Sequence, residues 1–90
     1  MVSRELEFRG INLSHLGMYF QELGGEQVTE RLPLIYEGEG WRGEIIAEEE
    51  ISFTPAFKVN AVQIRFKAEN EDMLEELIVK YRYKTTRIGG

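Results

Sequence analysis

The sequence predicts an α+β domain: one antiparallel five-stranded sheet with two helices on one face, in the order β-α-β-β-β-β-α. Three observations carry this expectation. Leu13/Leu16/Phe20/Leu23 and Leu74/Leu77/Ile78/Tyr81 recur at helical spacing. The remaining stretches alternate apolar and polar residues with a period of two, the pattern of a half-buried strand. Each such strand offers a single apolar face, so one sheet with both helices on the same side buries every stripe.

The elements follow in chain order. Leu6 and Phe8 alternate with Glu5, Glu7 and Arg9 in a first short strand that Gly10 breaks. Asn12 caps the helix that follows, Ile11 and Leu16 fit a hydrophobic staple, and Gly24-Gly25 supplies a left-handed stop, giving a helix over Leu13–Leu23. Leu32, Leu34 and Tyr36 alternate, and Pro33 argues for an edge strand. Gly38-Glu39-Gly40 is a tight turn into Trp41, after which Trp41, Gly43, Ile45 and Ala47 share a face. Ile51 and Phe53 mark a separate strand closed by Thr54-Pro55, with a bend or bulge near Glu48–Glu50. Val62, Ile64, Phe66 and Ala68 give the cleanest alternation, with Gln63, Arg65 and Lys67 opposite. Asn70 caps the last helix, whose first turn carries Glu71 and Asp72 and whose last carries Lys80 and Arg82, each complementing the helix dipole. Beyond about Tyr83 the chain turns polar and is expected to fray. A single domain over residues 1–84 and a flexible tail over 85–90 result.

Ninety residues hold one hydrophobic core, and a 42% hydrophobic, 30% charged composition is that of an ordinary globular domain. No apolar run approaches the roughly 20 residues of a membrane span, and the opening Met1-Val2-Ser3-Arg4-Glu5 lacks a secretory apolar stretch. Without cysteine there is neither disulfide nor thiol chemistry, and a cytoplasmic location is the expectation. A net charge of −5 opposes the phosphate backbone, so nucleic acid is not an expected partner. The charge is uneven: Lys80, Arg82, Lys84 and Arg87 follow the last acidic residue, Glu76, so an acidic body ends in a basic segment.

Few residues point to chemistry. His15 is the one histidine, lies off the apolar stripe, and finds no cysteine to join it in a metal site. Ser14 precedes it directly, but neighbours in a helix do not face each other. The carboxylates Glu48–Glu50 and Glu71, Asp72, Glu75, Glu76 read as a solvated rim and a solvated helix face rather than as acid–base pairs. Gly24-Gly25 and Gly38-Glu39-Gly40 lack the lysine and hydroxyl of a phosphate loop. Tyr36 and Trp41 read as core aromatics, with a ligand pocket between helix and sheet as the alternative. No enzyme activity and no cofactor are therefore expected.

Two features could serve a partner. The sheet face away from the helices is expected to carry Arg42, Glu44, Ile46, Ser52, Gln63, Arg65 and Lys67, either as a protein-binding surface or simply facing water. The chain closes Thr85-Thr86-Arg87-Ile88-Gly89-Gly90. A terminal carboxylate that is activated by an ATP-dependent adenylating enzyme needs a thin tail, and two glycines without Cβ atoms can thread a narrow channel. Sulfur transfer onto the adenylate then gives a thiocarboxylate, and the basic run could guide docking on an acidic partner. Arg87, Ile88, Gly89 and Gly90 are the candidate carrier tail.

The stretch Leu16-Gly17-Met18-Tyr19-Phe20-Gln21-Glu22-Leu23-Gly24-Gly25, the glutamate-rich bend before Pro55, Phe57-Lys58-Val59 running into Val62–Phe66, the acidic helix Glu71–Tyr83 and the final Gly89-Gly90 carry a family resemblance. The chain resembles the domain that follows the sulfur-carrier domain in proteins related to MoaD, the small subunit of molybdopterin synthase. The resemblance implies a β-α-β4-α fold like that of TATA-binding protein, and association with the assembly of molybdenum- or tungsten-pterin cofactors and with molybdopterin synthase components. It implies no catalytic residues. A carrier domain does not precede this module in the sequence, so either it partners a separate carrier or its own Gly-Gly is the reactive end.

Overall fold

The computed structural model describes residues 1–86 with their side chains and follows the backbone of the last helix to Gly89. The elements are β1 (Val2–Arg9), α1 (Leu13–Glu22), β2 (Glu26–Gln27), β3 (Leu34–Gly38), β4 (Trp41–Thr54), β5 (Phe57–Ala68) and α2 (Glu71–Gly89). The sheet is antiparallel throughout, in spatial order β1-β5-β4-β3-β2. Phe20 of α1 and Tyr81 of α2 both pack on Phe66 of β5, which places the two helices on one face. The predicted fold class and element order hold.

The helix ends are set by the residues that the sequence marks. Asn12 Oδ1 accepts from the Ser14 N–H at 2.9 Å, and Asn70 Oδ1 accepts from the Met73 N–H at 2.9 Å. Gly24 sits at φ 96°, and the Gly24 and Gly25 N–H groups donate to Gln21 O and Phe20 O, the paired bonds of a glycine stop. α2 continues beyond Tyr83, where fraying is expected: Thr85 is buried and its hydroxyl donates to Arg82 O.

The strand set differs in two places. The segments expected as separate strands at Trp41–Ala47 and Ile51–Phe53 are one strand of 14 residues. It passes through its irregularity as a bulge: Ile45 pairs with Ile64 and Ala47 with Gln63, so Ile46 is the inserted residue, ahead of the expected Glu48–Glu50. One inserted residue reverses the facing of everything after it. Ala47 therefore leaves the helix-side face, and Ser52, paired with Lys58, leaves the open face assigned to it. The second difference is β2, two polar residues paired with Glu37 and Tyr36. β2 takes the sheet edge, so the strand after Pro33 is internal, with Pro33 just ahead of its first residue.

Fifteen apolar residues are buried, and the core centres on rings. Phe20 lies 4.4 Å from Tyr81, 5.4 Å from Tyr36, 5.6 Å from Phe66 and 5.8 Å from Trp41, measured between ring centroids. Gly43 makes room for it: a Cβ there would run into the Phe20 ring. Tyr81 adds a buried hydrogen bond from its hydroxyl to Leu16 O at 2.7 Å.

The sheet is wide at one end and narrow at the other. β3 pairs with β4 only as far as Leu34–Ile45, and β1 pairs with β5 only as far as Arg9–Ala61. Past those points β4 and β5 continue alone to the Thr54–Phe57 pair. This two-stranded arm stretches the molecule to 43 Å against 27 and 21 Å in the other directions.

Candidate functional site

The open face of the sheet is built by strand register. Arg42 lies opposite Lys67, and Glu44 lies opposite Arg65, which in turn faces Glu5 on the other side. Period-two geometry therefore brings Arg42, Glu44, Gln63, Arg65 and Lys67 onto one surface, as the sequence predicts.

Glu44 is the centre of that surface. It is a carboxylate at 8% exposure, held among three cations: Arg42 Nε at 3.1 Å, Arg65 Nη1 at 3.3 Å and Lys67 Nζ at 3.6 Å. The Arg42 contact is an ion pair without hydrogen-bond alignment, whereas Arg65 donates to Glu44 Oε1. The row continues outward through Arg65 to Glu5 at 3.3 Å and through Arg42 to Glu37 at 3.7 Å. Gln63 donates to Glu7 Oε1 at 2.8 Å, and Arg9 donates to Glu7 Oε2 at 2.6 Å. The Arg9 bond, and then the Gln63 bond, hold the Glu7 carboxyl below its usual range. The face is thus an ordered and internally neutralised charge lattice. A partner that binds it exchanges existing bonds for new ones, so recognition depends on matched geometry more than on net charge.

The other candidates divide. The hydroxyl of Ser14 donates to Asn12 Oδ1, so it belongs to the helix cap, and His15 is half-buried at the boundary of α1. Tyr36 and Trp41 stack on Phe20 as core aromatics. The depression beside Trp41, lined by Leu23, Glu39, Met73, Glu76, Leu77 and Lys80, holds about 220 Å³. Ligand pockets usually span roughly 300–1,000 Å³. Among the described residues, no three His, Cys, Asp or Glu side chains come together as metal ligands, and no helix is long and apolar enough to cross a membrane.

The side chains of the candidate tail, Arg87, Ile88, Gly89 and Gly90, lie outside the described residues. The turn that leads into them is clear. Lys84 Nζ meets Glu22 Oε1 at 2.9 Å, and Arg82, Thr85 and Thr86 border a depression shared with Leu6, Arg9 and Ile11. Ile11 O accepts from Asn60 Nδ2 at 2.6 Å, and Asn60 also donates to Glu48 Oε2. The end of α2 therefore lies at the same end of the body as the root of the β4–β5 arm.

The arm is the feature that sequence reasoning missed. Phe53 and Phe57 flank its turn with ring centroids 5.7 Å apart, and each is more than half exposed. The available signal was a pair of phenylalanines on either side of Thr54-Pro55, in segments too far along the alternation to be covered by a helix.

No curated protein matches the chain. The sequence pattern that defines the archaeal MoaD-like proteins matches residues 4–90, from the first strand through the final Gly-Gly. That match spans both faces of the sheet, the arm and both helices, and the chain is accordingly a member of the archaeal MoaD-like protein family.

Proposed function

We propose that this chain is a non-enzymatic, sulfur-carrier-like or accessory protein of molybdopterin-type cofactor biosynthesis, with the Gly90 carboxyl as its reactive group. The supporting observation is the family match that runs to the diglycine. The reaction is acyl activation. A carboxylate oxygen attacks the α-phosphorus of ATP on an adenylating enzyme, pyrophosphate leaves, and the carboxyl becomes an acyl adenylate. Hydrosulfide then attacks the carbonyl carbon and displaces AMP, leaving a thiocarboxylate. The chain itself supplies only a carboxylate on residues without Cβ atoms, so it needs no catalytic side chain. The basic residues ahead of the diglycine, Lys80, Arg82, Lys84 and Arg87, favour an acidic docking surface on the enzyme, with molybdopterin synthase components as the recipients.

The test is intact-mass analysis after incubation with ATP, a carrier-activating enzyme and a sulfur source. The expected product has one oxygen replaced by sulfur at the carboxyl terminus. An unchanged mass, with no adenylate trapped when sulfur is withheld, overturns the carrier reading. The ordered lattice around Glu44 favours a second reading, a protein-interaction module acting through Arg42, Glu44, Gln63, Arg65 and Lys67. Under that reading, deletion of Gly89 and Gly90 leaves complex formation intact, whereas charge reversal at Arg65 or Lys67 abolishes it.

A further inference from the structure

Two exposed apolar features lie on different parts of the molecule. The first is the arm tip, where Phe53 and Phe57 stand 55% and 57% exposed beside Pro55 and Ala56. Its stem is acidic: Glu48, Glu49 and Glu50 are all exposed, and the one basic residue along it, Lys58, meets Glu50 at 3.8 Å. The second is a groove of about 380 Å³ in the helix layer, lined by Leu23, Val79, Lys80, Tyr83 and Lys84. Its apolar wall includes Val79 and Tyr83, at 59% and 66% exposure, and its rim is two lysines. The lysines meet Glu76 and Glu22 of their own chain in exposed or part-exposed pairs, which are weak and exchangeable.

The two features complement each other in both polarity and charge. An aromatic tip on an acidic stem matches an apolar groove with a basic rim, and the groove contains no residue of its own chain's arm. We propose that the arm of one copy docks in the α2 groove of a second copy, Phe53 and Phe57 seated against Val79 and Tyr83 with Glu48–Glu50 toward Lys80 and Lys84. Arm-to-arm pairing is disfavoured, because it brings two acidic stems together. The contact joins unlike patches, so each added copy presents one unfilled groove and one unfilled arm. Assembly then either closes into a ring or extends as a filament. This inference stands apart from the diglycine chemistry and survives if that chemistry fails.

Sedimentation velocity of the full chain over a range of concentrations tests it. The wild type is expected to sediment above the monomer as concentration rises. Phe53→Ser with Phe57→Ser, and separately Val79→Glu with Tyr83→Glu, are each expected to weaken self-association at least tenfold while circular dichroism stays that of the wild type. An equimolar mixture of the two variants restores one complementary contact, an intact arm in an intact groove, and is expected to give a one-to-one complex and nothing larger. A wild type that stays monomeric at every concentration overturns the proposal, and this result requires no variant to fold. Persistent self-association of the groove variant overturns it in favour of arm pairing. A mixture that stays monomeric overturns it as well.

Discussion

Two pairs of aromatic rings separate the body of this molecule from its arm. Phe20 and Tyr81 lie 4.4 Å apart and are wholly buried, whereas Phe53 and Phe57 lie 5.7 Å apart and are more than half exposed. Residue type does not distinguish them, and both pairs are in contact. The difference is the width of the sheet beneath. Where five strands carry two helices, a ring is enclosed on every side. Past Ile45 and Ala61 only β4 and β5 remain, and no helix covers them. Stability therefore resides in the body, and the arm is a ladder of backbone hydrogen bonds whose side chains are available to something else.

The largest effect follows from emptying the body's centre. Phe20 touches Tyr36, Trp41, Phe66 and Tyr81, so Phe20→Ala removes the ring that joins α1, β3, β4, β5 and α2. The expected loss is about 3–5 kcal/mol. Since a domain is stable by roughly 5–15 kcal/mol in total, urea denaturation should find this variant close to unfolding at ambient temperature. A loss under about 1 kcal/mol, the size of an ordinary surface change, would erase the contrast between the two regions.

The open face is intermediate between body and arm. Glu44→Ala removes the carboxylate shared by Arg42, Arg65 and Lys67. Those cations are about a third exposed and can turn to water, so the expected cost is about 1–2 kcal/mol. The gap between wild type and variant should narrow as salt screens the lattice. A gap that is indifferent to salt would show that Glu44 acts by packing alone.

Tyr81 sharpens the comparison through pH. Burial, with smaller contributions from Tyr19 and Tyr36, pushes its ionisation well above the ordinary value of 10.0. Below pH 10 the phenol is neutral in both folded and unfolded chains, and its contribution is fully present. Above pH 10 the unfolded chain releases the proton and the folded chain does not, so stability falls as pH rises, at a limiting slope of roughly 1.4 kcal/mol per pH unit. Tyr81→Phe should cost about 1 kcal/mol at neutral pH through the lost bond to Leu16 O. It should also flatten the alkaline decline without abolishing it, because burial raises Tyr36 too. Equal alkaline slopes in the two proteins would mean that Tyr81 is not sealed from water.

Where the sequence could be read follows the same division. Both helix caps, the Gly24 stop and the buried stripe of α2 come from short-range rules, and the structure keeps them. The open-face residues Arg42, Glu44, Gln63, Arg65 and Lys67 were legible because they lie on the near side of the bulge, where simple alternation still applies. Ala47 and Ser52 were misplaced because the inserted Ile46 reverses the facing after it, and nothing in residue type marks Ile46 as the insertion. β2 was invisible because two polar residues carry no periodicity. The arm was read as an ordinary strand because alternation reports which residues share a face, not whether anything covers that face.

The smallest expected effect tests the arm's side of the comparison. Phe53→Ser removes an apolar ring that is 55% exposed and whose one aromatic neighbour is Phe57. The removed surface was already largely in water, so unfolding returns little that folding had gained. In dilute solution, where copies do not meet, the stability change should stay within about 0.5 kcal/mol, and the thermal transition should coincide with that of the wild type. At higher concentration the wild type should gain stability through mass action while the variant does not, since binding to the folded state alone raises apparent stability. The two curves should therefore separate with concentration, having begun together. Curves already apart in dilute solution would mean that the tip contributes to the fold within one chain, and the division between a stabilising body and an available arm would have to be redrawn.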